Sequence, residues 1–218
     1  MIFLDIHTHH CTPYSLGARA IYNAHSSLDK PMPVDKWISL GLHPWYLTAG
    51  NIASQLAFLE AHIGDENVRL IGECGFDRLR GPAMPVQRAA FERQVDLALA
   101  HRKPLIIHCV RAFDELQPVG KRYAHKIPMI VHGFNKSSEL GEQLIRQGFF
   151  LSFGAAILDE ASGAAKTLRQ VNQPFFLETD DSGQGIEAIY EQAAFLRKVT
   201  VDELKDAIFA AWQQIQLI

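Results

Sequence analysis

The 218-residue chain has few cysteines and no long apolar run. Its three cysteines, Cys11, Cys74 and Cys109, show no CxxC spacing, which argues against a disulfide framework and a thiolate metal site. No apolar run approaches the roughly 20 residues that a membrane-spanning helix needs. The first residues read as a strand and not as a secretory signal. We therefore expect a cytoplasmic protein with no membrane partner.

The sequence also lacks an excess of positive charge and several common catalytic motifs. Its formal net charge of −3 gives no overall basic field that would recruit nucleic acid. Two bound divalent cations would nevertheless add about +4 locally and reverse the sign inside a pocket. The glycine-rich phosphate loop, the dinucleotide fingerprint and the G-x-S-x-G nucleophile motif do not occur. Their absence argues against a phosphate-loop nucleotide site, a dinucleotide site and a serine hydrolase. No segment indicates an obligate protein partner.

Eight short apolar runs alternate with longer amphipathic stretches. Most runs are apolar at both alternating positions, as in parallel strands that are covered on both faces. Helical stripes separate the later runs, most clearly over 86–101, 186–194 and 204–215. We predict one domain over 1–218 with a TIM-like (β/α)8 barrel fold. The predicted strands are 2–7, 18–24, 37–43, 68–74, 104–109, 128–133, 148–153 and 174–179.

The first third of this barrel is predicted to be shortened. The connections over 8–17 and 25–36 contain proline or glycine and no helical stripe, although a parallel crossover commonly uses a helix. We therefore expect one or two outer helices to be missing near the N-terminus. Farther along, Thr200 and Glu203 predict a capping box for the last helix, and Gly148 is expected to follow the end of a helix.

Side chains that can bind metal stand at or just beyond the C-terminal ends of five predicted strands. This is the face on which barrel enzymes carry their sites. Two of these side chains lie two positions apart on the first strand and therefore point to the same side. Imidazole and carboxylate ligands suit Zn²⁺, Mn²⁺, Fe²⁺ or Mg²⁺. The predicted ligands are His7, His9, Glu73, His108, His132 and Asp180.

Strand alternation separates two cysteines from these predicted ligands. Cys74 and Cys109 each neighbour a ligand, so they point to the opposite face and are expected in the core. Cys11 lies in a loop beyond the first strand, and its role is open. His43 also follows a strand, and Pro44 restricts it to an extended conformation that aims it across the barrel mouth. Substrate contact and simple packing are both open for His43.

Several aromatic and basic residues near the strand ends have two interpretations. The aromatic side chains could stack on bases at the mouth or only pack in the core. The basic side chains could contact phosphates or only lie solvated on the surface. The aromatic residues are Trp45, Tyr46, Phe76 and Phe134, and the basic residues are Arg78, Arg111 and Lys136.

Six segments together resemble one known family. They are DIHTH at 5–9, GLHP at 41–44, IGECGFD at 71–77, PLIIHCVRA at 104–112, VHGF at 131–134 and LETDDS at 177–182. In this order they are similar to the TatD family of metal-dependent deoxyribonucleases, within the amidohydrolase superfamily. The resemblance implies two divalent metal ions. It assigns one ion to His7, His9, Glu73 and Asp180, with Glu73 bridging to a second ion on His108 and His132.

The chain departs from the family pattern at three places. Trp45 stands where the family often has a second histidine, Arg78 stands where an aromatic residue is common, and the early region is shorter than usual. All six ligands are retained. The departures therefore leave the metal site intact and the substrate preference open.

The resemblance implies a phosphodiesterase, such as a deoxyribonuclease, that acts on DNA ends through a metal-activated water. Asp180 is the candidate general base, because a carboxylate near metal and water can take the proton. Glu73 would bridge the ions, His43 and Arg78 would stabilise phosphate charge, and Arg111 and Trp45 would contact substrate. The physiological metal, DNA against RNA, the cleavage polarity and the oligomeric state stay open.

Two other functions are compatible with the sequence. One is another amidohydrolase reaction on a lactone, a cyclic amide or a nucleobase, since barrels host many chemistries. Several such enzymes bridge their metals with a carboxylated lysine, whereas the fourth strand here offers Glu73, which favours the phosphodiesterase. The other is a binding module without catalysis. That function predicts decay among the ligands, and none of the six is missing.

Overall fold

The computed structural model describes residues 1–10, 17–25 and 32–218. Within these ranges strands and helices alternate along most of the chain. The strands are β1 (Phe3–Thr8), β2 (Ala18–His25), β3 (Trp37–Gly41), β4 (Val68–Asp77), β5 (Leu105–Val110), β6 (Met129–Val131), β7 (Phe150–Phe153) and β8 (Phe176–Leu177). The α-helices are α1 (Ile52–His62), α2 (Met84–His101), α3 (Phe113–Tyr123), α4 (Ser138–Arg146), α5 (Gly163–Gln170), α6 (Ile186–Arg197) and α7 (Val201–Gln214).

The strands follow one another in the sheet in the order β1 to β8. The pairs β3–β4, β4–β5, β5–β6 and β7–β8 are parallel, and β8 lies beside β1 through a parallel bridge between Thr8 and Asp180. This strand order, with a helix after each strand from β3 onwards, is that of the predicted (β/α)8 class. All eight predicted strands form, although three predicted runs continue beyond the observed ends of β3, β6 and β8.

The two connections that were expected to lack helices are described only in part. Residues 9–10 and 17 between β1 and β2, and residues 32–36 before β3, contain no α-helix. The remainder of these two connections, including Cys11, lies outside the described residues. Among the described residues no helix combines the length and the apolar character that crossing a membrane would require.

Backbone contacts divide the chain into two compact units. The first unit is Met1–Ile21 with His132–Ile218, and the second unit is Tyr22–Val131. In the first unit, the hydroxyl of Tyr190 on α6 accepts a hydrogen bond from the Leu4 amide at 3.1 Å and donates one to the Leu4 carbonyl at 3.0 Å. These bonds attach α6 to β1. That residues 1–218 form one domain stays a prediction.

Helix α2 covers β4 in the second unit with the predicted stripe. Ala90, Phe91, Val95 and Ala98 are all nearly inaccessible to solvent, as expected for an amphipathic helix that faces a core. The helix ends at Arg102, which takes a left-handed conformation with φ 53°, a common way to finish a helix.

Two predicted helix ends are confirmed. The amide of Thr200 donates to Glu203 Oε2 at 2.8 Å, and the amide of Glu203 donates to Thr200 Oγ1 at 3.2 Å. This reciprocal pair satisfies two amides that the helix itself leaves without partners. Gly148 follows α4 with φ 90°, a conformation that glycine adopts without steric cost.

Candidate metal centre

In the second unit, Glu73 lies between two histidines that neighbouring segments supply. Glu73 belongs to β4, His108 to β5, and His43 follows β3 by two residues. Glu73 Oε1 is 3.1 Å from His43 Nε2 and 3.1 Å from His108 Nδ1. All three residues are less than 10% exposed. Glu73 and His108 are therefore neighbours, and His43 joins them. Glu73 lies inside β4, four residues before its last residue Asp77, and not at the strand end that the sequence predicted.

His43 takes the extended conformation that Pro44 was expected to impose, with φ −73° and ψ 135°. Its Nδ1 accepts a hydrogen bond from the amide of Trp45 at 3.1 Å. A neutral imidazole has one N–H, and an accepting Nδ1 places it on Nε2. His43 Nε2–H therefore donates to Glu73 Oε1, which makes His43 a hydrogen-bond partner of the Glu73 carboxylate.

Asn23 of β2 holds the other side of Glu73. Its amide nitrogen donates to Glu73 Oε2 at 2.9 Å, and its amide oxygen accepts from the backbone amide of Glu73 at 3.3 Å and from Ser39 Oγ at 3.3 Å. Asn23 is only 2% exposed. With Oε2 engaged in this way, Oε1 is the carboxylate oxygen that faces the two histidines.

Asp77, the last residue of β4, contacts the opposite edge of the His108 ring. Its Oδ2 accepts from Trp45 Nε1 at 2.5 Å and lies 3.1 Å from His108 Nε2. Its Oδ1 accepts from the amides of Leu79 and Arg80 at 2.7 and 3.0 Å. Burial raises the pKa of the Asp77 carboxyl, but these hydrogen bonds outweigh it and leave the pKa below its ordinary value.

Two buried glutamines of α2 hold the loops that carry these side chains. Gln94 accepts from the Leu42 amide at 2.7 Å and donates to the Leu42 carbonyl at 3.3 Å. Gln87 accepts from the Asp77 amide at 2.8 Å and donates to the Asp77 carbonyl at 2.8 Å. The two glutamines lie seven positions apart, which places them on one helix face. Each fixes the backbone at or beside a residue of the site.

The first unit contains the second group of predicted ligands. His7 Nε2 and His9 Nε2 lie 3.5 and 3.4 Å from Asp180 Oδ1, so His7 near the end of β1 and His9 just beyond it face one carboxylate. The ring of His132 lies 4.6 Å from the ring of His7, centre to centre. His7 is fully buried, whereas His9 and Asp180 are 30% and 32% exposed.

Backbone hydrogen bonds set the position of Asp180. Its amide donates to the His7 carbonyl at 3.0 Å, and its carbonyl accepts from the His9 amide at 3.0 Å. Asp180 has φ 51°, an uncommon conformation for a residue other than glycine and one that aspartate tolerates better than most. The chain therefore turns directly after β8 and brings this carboxylate beside β1.

Two further carboxylates lie buried in the first unit. Glu178 accepts from the Gly133 amide at 2.6 Å and lies 3.5 Å from His132 Nδ1. Asp5 accepts from the hydroxyl and the amide of Thr179 at 2.7 and 3.1 Å. Burial raises the pKa of Asp5 to about 7, although the hydrogen bonds from Thr179 act against it. Both carboxylates lie beside residues of the predicted ligand set and orient that part of the chain.

The geometry of both groups fits divalent cations. Two ligands that each lie about 2.1 Å from a tetrahedral ion stand about 3.4 Å apart. The histidine–carboxylate separations in the two units range from 3.1 to 3.5 Å. Groups of three such ligand atoms, all within 4.8 Å of one another, include His7, His9 and Asp180, and also His132, Glu178 and Asp180. Nitrogen and oxygen ligands of this kind suit Zn²⁺, Mn²⁺, Fe²⁺ and Mg²⁺.

The predicted substrate contacts have different surroundings. Arg78 forms a two-point ion pair with Asp114 at 2.6 Å and also contacts Glu115 at 3.3 Å, so two carboxylates already balance its charge. Arg111 is exposed. Trp45 is 37% exposed, and the guanidinium of Arg80 lies 4.0 Å from the centre of its ring.

The structure separates the four aromatic residues into two pairs. Phe76 and Phe134 are 1% and 2% exposed, so they pack in the core and do not line an accessible surface. Trp45 and Tyr46 are 37% and 51% exposed and remain available for stacking. Of the cysteines, Cys74 is buried as expected. Cys109 is only half-buried, because it lies near the end of β5.

Sequence reasoning missed the polar residues that hold the ligands. Asp77 was visible as the last residue of the IGECGFD segment, and its spacing of four from Glu73 places both on one strand face. Asn23, Gln87 and Gln94 had no comparable signal. Each lies within an otherwise apolar strand or stripe, and its partner is distant in sequence.

Comparison with known proteins identifies the family of the chain. A family model described as TatD related DNase matches residues 9–215. The chain belongs to the TatD family. It is 27% identical over 157 residues to the 3'-5' ssDNA/RNA exonuclease TatD of Edwardsiella piscicida, a match that covers 66% of this chain and 60% of that protein. The chain thus spans about 60% of the length of this curated TatD relative.

Solved structures of TatD proteins show the same fold. The TatD homologue YJJV of Escherichia coli K12 superposes with a TM-score of 0.78 at 23% identity, over 98% of this chain and 97% of that one. A TatD family hydrolase of Entamoeba histolytica gives a TM-score of 0.76 at 15% identity, over 99% and 98% of the two chains. These likenesses confirm the predicted fold class.

Proposed function

We propose that the chain is a metal-dependent hydrolase of the TatD type that cleaves phosphodiester bonds at nucleic-acid ends. One observation carries this proposal. In each unit a carboxylate oxygen of the predicted ligand set lies within 3.5 Å of a histidine of that set: Glu73 Oε1 of His108 in the second unit, and Asp180 Oδ1 of His7 and His9 in the first. Membership of the TatD family and the likeness to a protein named as an ssDNA/RNA exonuclease support the choice of substrate.

The proposed centre holds two divalent cations. In a (β/α)8 barrel the C-terminal ends of the strands open on one face, and every proposed ligand stands in the C-terminal half of a strand or within three residues after it. Zinc, manganese, magnesium and iron all fit the ligand types. One ion would bind His7, His9, Asp180 and Glu73, and the other would bind Glu73, His108 and His132.

Bound divalent cations at this centre would supply an activated water and neutralise charge on the phosphodiester. Asp180 would accept the proton of the attacking water, for which its partial exposure of 32% leaves access. His43 would hold Glu73 in place through its Nε2–H, 3.1 Å from the carboxylate. Asp180 would thus transfer the proton, and His43 would orient Glu73.

Exposed aromatic groups near His43, together with basic groups that follow β4 and β5, provide the proposed substrate contacts. The Trp45 ring lies 4.9 Å from the His43 ring and the Tyr46 ring lies 5.5 Å from it. Nucleobases stack on such aromatic faces without strong sequence preference. Arg111 would contact phosphate. Arg78 would contribute to phosphate binding only by releasing part of its pairing with Asp114.

Metal analysis coupled to nuclease assays tests the proposal. Wild type, Glu73→Ala and Asp180→Asn are loaded with Zn²⁺ or Mn²⁺, and cleavage of end-labelled single-stranded DNA and RNA is measured. Glu73→Ala is expected to release at least one ion, whereas Asp180→Asn is expected to retain much of the metal and lose most turnover. Asp206→Asn, an exposed carboxylate change on α7, is the matched control and should behave as wild type.

Two results would contradict the proposal. If Glu73→Ala and Asp180→Asn cleave like wild type, the activity does not come from this centre. If wild type binds metal and cleaves neither nucleic acid, the substrate is of another class, and lactones, cyclic amides and nucleobases are assayed next.

A further inference from the structure

We infer that Asp77 is a positioning residue that fixes the tautomer of His108 and thereby presents His108 Nδ1 to a cation. His108 Nε2 would carry the ring proton and donate it to Asp77, while the lone pair of Nδ1 points towards Glu73. The tautomer is a property of the protein itself. Its consequence for metal binding rests on the proposed function, in which His108 is a ligand.

The partners of Asp77 decide which atom carries the proton. Besides His108, the carboxylate contacts the indole N–H of Trp45 and the amides of Leu79 and Arg80. These three groups can only donate hydrogen bonds. Oδ2 therefore already accepts from Trp45 when it meets His108 Nε2 at 3.1 Å. A carboxylate in this state is an acceptor, so the proton between the two groups belongs to Nε2.

The opposite edge of the His108 ring then carries an acceptor. With the proton on Nε2, neutral His108 carries a lone pair on Nδ1. That lone pair faces Glu73 Oε1 at 3.1 Å, and Oε1 also accepts the Nε2–H of His43. A cation between Nδ1 and Oε1 would be held by two acceptors. Histidine ligands of metals commonly donate their other N–H to a carboxylate, which orients the ring and raises its basicity.

Trp45, which stands where the family often has a second histidine, contributes to this arrangement. An indole N–H can donate but cannot accept, so Trp45 keeps Asp77 an acceptor. The guanidinium of Arg80 lies over the indole ring at 4.0 Å, and the Arg80 amide donates to Asp77 Oδ1 at 3.0 Å. Trp45 and Arg80 therefore both donate to Asp77 and keep its carboxylate an acceptor.

The substitution Asp77→Asn separates this role from a merely structural one. The turn after β4 uses only Oδ1, which an asparagine oxygen can replace. The amide nitrogen would then occupy the position of Oδ2 and present N–H groups to Trp45 and His108. The indole N–H of Trp45 cannot become an acceptor. His108, however, can move its ring proton to Nδ1, which makes Nε2 an acceptor. The expected result is a switched tautomer in a folded protein.

Nitrogen NMR of the ¹⁵N-labelled, metal-free protein measures the tautomer directly, with the His108 signal assigned from its loss in His108→Gln. Wild type should show Nε2–H and Asp77→Asn should show Nδ1–H. Asp159→Asn is the matched control, because Asp159 Oδ1 accepts from the Ala161 amide at 2.9 Å in an exposed turn. It should leave the His108 signal unchanged. Titration with Zn²⁺ should give an affinity roughly 10- to 100-fold weaker for Asp77→Asn than for wild type.

The outcomes distinguish this inference from the proposed function. A wild-type ring protonated on Nδ1 overturns the tautomer assignment, whether or not the variant folds. An Asp77→Asn protein that keeps Nε2–H overturns it as well. A switched tautomer with unchanged Zn²⁺ affinity shows instead that His108 is not a ligand, which contradicts the proposed metal set and the positioning role together.

Discussion

The buried amide of Gln94 provides a quantitative test of how α2 supports the site. Gln94 is 1% exposed and makes a two-point contact with the backbone of Leu42 at 2.7 and 3.3 Å. Leu42 is itself fully buried and directly precedes His43. The substitution Gln94→Leu keeps the size of the side chain and removes both hydrogen bonds, so a buried N–H and a buried C=O lose this partner.

The expected cost follows from those two groups. Each buried polar group that loses its partner costs about 1–3 kcal/mol, and the added apolar surface of leucine returns about 1 kcal/mol. We therefore expect Gln94→Leu to lower the free energy of unfolding by about 3 kcal/mol. For a chain of this size that corresponds to a fall in Tm of roughly 6–12 °C. Without these bonds the backbone of Leu42 can shift, and His43 follows it directly. The turnover of the proposed reaction should therefore fall as well.

Urea unfolding followed by circular dichroism measures the change. The matched control is Gln117→Leu, the same substitution at an exposed position on α3, which should change the free energy of unfolding by less than about 0.5 kcal/mol. If Gln94→Leu is no less stable than this control, the contact between Gln94 and Leu42 does not support the loop, and the reasoning fails.

Two further substitutions test separate features. Gly75→Ala should destabilise the chain by about 2–5 kcal/mol and weaken metal binding, because Gly75 has φ +133° and an added Cβ would lie 2.1 Å from the His108 carbonyl oxygen. Thermal unfolding and Zn²⁺ titration measure this, with Gly64→Ala, which has open space around it, as the control that should stay near wild type. Thr200→Ala should lower stability by about 1 kcal/mol through loss of the helix cap, with nuclease activity unchanged. Loss of activity in a fully folded Thr200→Ala would contradict the purely local role of this cap.

The predicted strands, and the choice of candidate ligands near their ends, rest on one physical pattern. A parallel strand covered on both faces must be apolar at every position, so a strong metal ligand directly after such a run stands out. The strand ends were less accurate. His43 and His132 lie just beyond β3 and β6, because the sheet pairing stops while the apolar pattern continues.

The supporting residues were hidden because their partners are far away in sequence. Gln94 meets Leu42 across 52 positions and Asn23 meets Glu73 across 50. A single polar residue in an apolar stripe gives no sign of such a partner. Arg78 was proposed as a phosphate contact from its position after β4, and its ion-pair partners were hidden for the same reason. The carboxylates that engage it are 36 and 37 positions later.

Anomalous diffraction from crystals grown with Mn²⁺ tests most directly that six side chains hold two cations. Two anomalous peaks are expected, one within about 2.3 Å of ligand atoms of His7, His9 and Asp180, the other equally close to His108 and His132, with Glu73 reaching both. A single peak, or two peaks that Glu73 does not join, would contradict a shared binuclear centre.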